Sequence, residues 1–111
     1  MKTEKINLKD VIVLDLMEQP ILLPTNYLRD LGNAMYISNN GIEQADLGKK
    51  IFYSTKNNTD LELNGEEIEL FISLIDAFPW LGKPLHNGIK DYLTTKLENL
   101  KKDAYGNSTS N

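Results

Sequence analysis

The apolar positions of this chain change their period several times, and each change predicts an element. Val11-Ile-Val-Leu-Asp-Leu-Met17 is rich in β-branched residues and too short for a globular helix, so it predicts a strand. Glu18-Gln19-Pro20 has turn chemistry, and Ile21-Leu22-Leu23 makes a short return strand. Pro20 and Pro24 bracket that strand, which suits a sheet edge. The pattern predicts a short N-terminal β-hairpin over 11–23. A two-stranded ribbon is unstable alone, so helices must cover it. Residues 1–10, with Ile6 and Leu8 alternating among polar neighbours, read as a frayed tail or a short edge strand.

Helical spacing begins after Pro24. Thr25 or Asn26 is placed to cap a helix whose apolar face is Tyr27, Leu28, Leu31, Ala34 and Met35. Asn39-Asn40-Gly41 tolerates the left-handed backbone that ends a helix. A second helix is predicted from about Ile42 to Tyr53, with Ile42, Ala45, Gly48 and Phe52 on one side and Leu47 and Ile51 elsewhere. The small residues at 45 and 48 would let a neighbour approach closely. Leu61 and Leu63 alternate with acids as a short extended lead-in, and Asn64 with Glu67 resembles a capping box. Pro79 ends the third helix. Pro84 suits the first position of a fourth, whose face is Leu85, Ile89, Tyr92, Leu93, Leu97 and Leu100.

The third helix, residues 65–78, carries the most information. Ile68, Phe71, Ile72 and Ile75 form one stripe at helical spacing, and Leu70, Leu74 and Ala77 form a second. Only Glu66, Glu69, Ser73 and Asp76 make an arc fit for water. Such a helix needs cover on two sides, from its own domain or from a partner. The expected contact surface is therefore Leu70, Leu74 and Ala77, with Phe78 and Trp80 at the helix break and Glu66 and Glu69 beside them. Trp80 has a second reading, as a plug for the bottom of the core.

The chain has 111 residues, which predicts one small domain over 1–102. Residues 103–111 are a disordered tail by composition. The absence of cysteine removes disulfides, thiolate metal sites and a Cys nucleophile. The formal charge is −4, and Asp60, Glu62, Glu66, Glu67, Glu69 and Asp76 fall in a stretch, 57–82, without Lys or Arg. An acidic chain without a basic stripe is poorly suited to nucleic-acid phosphates or to an anionic membrane. The N-terminus lacks the apolar run of a signal peptide, and no segment approaches a membrane span.

Candidate chemistry is sparse. Asp60-Leu-Glu-Leu-Asn-Gly65 imitates the first half of an EF-hand loop, but the twelfth position, which needs a bidentate carboxylate, is Phe71. A loop entering a capped helix accounts for it better. His86, the single histidine, falls on the apolar side of the last helix and reads as a core-edge residue. Glu66 with Glu69 and Glu69 with Asp76 share a helical face, but that face is the wet arc, and a catalytic acid needs burial. No Gly-x-Ser-x-Gly turn or glycine-rich phosphate loop is present. The expectation is a protein with no cofactor and no metal.

The order of elements resembles small accessory proteins encoded by tailed phages and prophages. The resemblance is carried by the strand pair Val11–Leu23, by Leu28-Arg-Asp-Leu-Gly-Asn-Ala34, by Asp46-Leu-Gly-Lys-Lys-Ile51, and by Leu63-Asn-Gly-Glu-Glu-Ile68. It spans about residues 11–100 and rests on pattern rather than on a diagnostic motif. It implies a mobile-element origin, a bacterial cytoplasm or a virion as location, and a non-enzymatic role. It assigns no site residues.

These readings converge on a predominantly helical α+β domain, a short hairpin on about four helices with 65–78 central. The expected function is non-enzymatic interaction with a protein partner or with a second copy. Two alternatives remain: an acidic inhibitor of a host nucleic-acid-binding or defence protein, and a small-molecule site in an oligomer cleft lined by Tyr27, Tyr36, His86 or Arg29.

Overall fold

A computed structural model describes residues 2–24, 26–38 and 41–109, with side chains to residue 102. The elements run β1 (Glu4–Ile6), a 3-10 turn (Leu8–Asp10), α1 (Tyr27–Ile37), α2 (Ile42–Lys56), β2 (Leu61–Leu63), α3 (Gly65–Ala77) and α4 (Lys83–Thr109). The chain is α+β, with a two-stranded antiparallel pair among four helices. No described helix is long and apolar enough to cross a membrane.

The paired strands are not the two expected. Glu4 pairs with Leu63, Lys5 with Glu62 and Ile6 with Leu61. The two segments left open by their short alternation thus find each other across the chain. Residues 11–23 do turn back as a hairpin-shaped arm, but their only bridge is Leu14 to Pro20. Pro20 and Pro24 lack the N–H groups that a longer ladder would need.

The core is one cluster. α3 contributes Ile68, Phe71, Leu74 and Ile75, and α4 adds Leu85, Ile89, Leu93 and Leu100. Tyr27, Leu31 and Met35 come from α1, Leu47 and Ile51 from α2, and Ile6, Leu61 and Leu63 from the strands. The α2 side predicted to carry Ile42 is only partly a packing face, since Ile42 is exposed while Leu47 and Ile51 are buried. Gln44 is the buried polar residue of this helix, and its Nε2 donates to the Met35 carbonyl at 3.3 Å and to the Ser38 hydroxyl.

α3 begins on the anticipated capping box. Asn64 Oδ1 accepts from the Glu67 N–H at 2.9 Å, and Glu67 Oε1 accepts from the Asn64 N–H at 3.0 Å. Lys50 of α2 closes on the same Glu67 carboxylate at 2.8 and 3.1 Å, so one acid caps α3 and ties it to α2. Asn26 precedes α1 with φ of 66° and no side-chain cap bond, while Thr25, Asn39 and Asn40 lie outside the described residues. The backbone of α4 enters the segment expected as a tail. Side chains from 103 onward and residues 110 and 111 lie outside the described residues.

The small residue at 48 does what its position suggested. A Cβ on Gly48 would lie 2.5 Å from the Gly32 carbonyl oxygen and 2.8 Å from Met35 Cβ. One on Gly32 would lie 2.7 Å from the Gly48 oxygen. The α1–α2 contact is therefore backbone against backbone, with nothing flexible to yield. We expect Gly48→Ala to destabilise the protein by about 1–3 kcal/mol in chemical denaturation. Gly82→Ala is the control, because nothing lies within 4 Å of its added methyl group. Asn64→Ala should cost about 1 kcal/mol through the lost cap.

Candidate functional site

The arm of residues 11–24 has two apolar faces, and only one is covered. Val11, Val13, Ile21 and Leu23 are partly buried and pack on the core. Ile12, Leu14 and Leu22 alternate with them and point to solvent, with Ile12 at 78 % and Leu22 at 82 % exposure. At the tip, Leu16 is fully exposed and Met17 nearly so. An extended segment alternates its side chains, so a run apolar at every position must leave half of them outside unless it is sandwiched.

The tip is tightly made. Asp15 Oδ1 accepts from the N–H groups of Met17 at 2.8 Å and Gln19 at 2.9 Å. The Asp15 N–H donates to the Gln19 carbonyl at 2.8 Å, and Glu18 closes the turn at φ 62°. Ile21 returns its N–H to the Val13 carbonyl at 2.8 Å. The inner face is seated on α4 by Gly88, where an added Cβ would lie 2.5 Å from Val13 Cγ2.

Beside the arm stands an aromatic corner. Trp80 is half exposed and meets Phe78 edge-on at 5.6 Å and Tyr27 at 6.4 Å between ring centroids. Ile21, Leu22 and Pro24 share a hollow of about 160 Å³ with Trp80 and Leu81, so arm and corner form one continuous surface. Tyr27 lies beneath Trp80, its hydroxyl buried with no hydrogen-bond partner among the described residues. Burial pushes its pKa up to about 12.

The residues selected from the sequence divide. Leu74 is 5 % exposed and belongs to the core of this chain, and Leu70 is half-buried against it. Ala77 is exposed, Phe78 is partly buried, and Glu66 and Glu69 are in water. Within the second stripe of α3, Leu74 is thus covered by this chain's own core and Leu70 partly so, while Ala77 stays in water. Exposed large apolar side chains occur at Tyr36, Ile37, Ile42 and Tyr53 of α1 and α2, but the longest run of them lies on the arm, with Trp80 beside it. The arm's signal was already in the sequence, in the unbroken run Val11–Leu14 and its counterpart Ile21–Leu23.

His86 is tied between α3 and α4. Its Nε2 is 2.9 Å from Asp76 Oδ1, and Lys90 Nζ lies 3.0 Å from both oxygens of that carboxylate. No hydroxyl is hydrogen-bonded to His86 among the described residues. The Asp76–Lys90 ion pair, with His86 on the same carboxylate, ties the two helices together. Among the described residues no three carboxylates or histidines gather as a metal site would require. Tyr36 lines a hollow of about 200 Å³ with Gly32, Gly48 and Phe52, and neither His86, Arg29 nor Tyr27 lines it.

The acidic stretch is largely matched by lysines from other elements. Asp60 meets Lys5 at 3.5 Å, Glu67 meets Lys50 at 2.8 Å, Asp76 meets Lys90 at 3.0 Å, and Glu69 lies 3.8 Å from Lys101. No family model, curated protein or solved structure matches this chain.

Lys90 first, then His86, holds the Asp76 carboxyl below the usual carboxylate range. A depressed folded-state pKa adds stability that is whole above the unfolded value of about 4 and is lost as pH falls through the folded value. Asp76→Asn should therefore flatten the loss of stability below about pH 4. Denaturant midpoints across a pH series would show it.

Proposed function

We propose that this chain is a non-enzymatic interaction module whose contact surface is the outer face of the arm together with the Trp80 corner. The carrying observation is the alternation along the arm: the inner residues are seated on the core, and Ile12, Leu14, Leu16, Met17 and Leu22 are left in water. Contiguous exposed apolar surface costs solubility and marks contact sites. The turn that presents it is held by its own hydrogen bonds, which lowers the entropy lost on binding. A half-exposed Trp at the edge is the residue type that anchors protein interfaces. An accessory role of the kind found in tailed phages and prophages is consistent with this reading and rests on the order of elements alone.

The acidic-inhibitor reading draws less support, since four of the six acids between 57 and 82 have a lysine partner within the chain. We expect a photo-cross-linking residue placed at Leu14 or Leu22 to give discrete protein adducts in cells, and one at exposed Glu98 to give none. Ile12→Ser with Leu16→Ser should abolish those adducts and change folding stability by less than about 1 kcal/mol, because both side chains are already in water. Equal labelling at all three positions would remove the basis for the proposal.

A further inference from the structure

The arm carries both a projection and a recess, and this limits what can sit on it. The projection is the exposed Leu16–Met17 tip, held in shape by the paired amide bonds to Asp15 Oδ1. The recess is a hollow of about 550 Å³ between arm and body, lined by Leu8, Val11, Val13, Ile21, Leu23 and Leu85. It opens to solvent where Ile12 and Leu22, which also border it, are exposed. The hollow is larger than needed for a single side chain and lies within the range that takes a compact apolar group.

The charges repeat the arrangement. The tip carries Asp15 and Glu18, and among the described residues the one charged side chain on the wall of the hollow is Lys9. An apolar projection flanked by acids and an apolar recess marked by a base thus lie on one short segment. A two-fold dimer requires this of its interface: one patch carrying both halves of the fit, so that each contact occurs twice. A partner with an unrelated surface would need only one half of it.

We propose that the occupant of this surface is a second copy of the chain, joined about a two-fold axis. The Leu16–Met17 tip of each copy seats in the hollow of the other, and Lys9 faces the partner's Glu18. The inference rests on the reading of the arm as a contact surface and names what it contacts. Leu16, Lys9 and Glu18 are all exposed, so substitutions there leave the core untouched.

Sedimentation equilibrium on the full chain from about 1 to 200 micromolar tests it, the range in which a modest interface populates both species. The native protein should show a concentration-dependent rise from one-chain to two-chain mass. Lys9→Glu and Glu18→Lys should each weaken the dimer about tenfold or more, because each replaces two symmetric attractions with repulsions. The double variant should recover to within about threefold of native, since it exchanges the two signs. Leu16→Asp should abolish the dimer, with a thermal midpoint matching the native chain's at about 1 micromolar, where both are single chains. A one-chain mass throughout the range overturns the proposal, as does a dimer indifferent to Leu16→Asp or a double variant no better than the singles. A one-chain mass together with discrete adducts to a different protein at Leu14 would overturn self-pairing alone and leave the interaction reading intact.

Discussion

The seat of Val13 against Gly88 decides which half of the arm meets water. Side chains alternate along extended backbone, so fixing one fixes its neighbours. With Val13 pressed where residue 88 has no side chain, Val11 falls inward and Ile12 and Leu14 fall outward. The return segment follows through its bond from Ile21 to Val13, which puts Ile21 and Leu23 inside and Leu22 outside. A shift by one residue would exchange the two sets and leave an equally apolar face exposed. The exposed surface thus follows from composition, and the missing side chain at 88 only selects its members.

The helices were legible from their spacing, and the reason is physical. Each buries a stripe that recurs at three and four residues, and Pro79 and Pro84 punctuate the third and fourth. The capping box of Asn64 and Glu67 and the close approach at Gly48 were also legible, because both depend on chemistry local to one or two residues. The strand pairing was not. Ile6 and Leu61 each carry a weak alternating pattern of three residues, and nothing in either segment names the other as partner. The arm, with the stronger strand composition, is kept from a ladder by prolines at 20 and 24.

The cover that α3 receives was not legible, for a related reason. A helix apolar on two sides looks exposed when read singly, but in the fold Leu74 is buried in the common core and Leu70 is half-buried against it. A periodic pattern states how much of an element must be hidden, and the cover it receives is a property of its neighbours. Trp80 stood between two readings and satisfies both in part. One side of its indole packs on Tyr27 and Phe78, and the other is open. The charge pattern was misleading in the same way. The acids of 57–82 form a block along the chain, but in space Lys5, Lys50, Lys90 and Lys101 are distributed among them.

The union of positions 4 and 63 has a bearing on how the molecule is assembled. Most contacts here form between neighbours in the chain: α1 with α2, α3 with α4, the arm with itself. The small sheet instead closes a loop that encloses the arm and the first two helices, so it joins segments more than fifty residues apart. On a ribosome the first strand would emerge early and remain unpaired until residue 63 follows. The sheet is thus a non-local closure, slow beside the helix pairings that join neighbours in the chain.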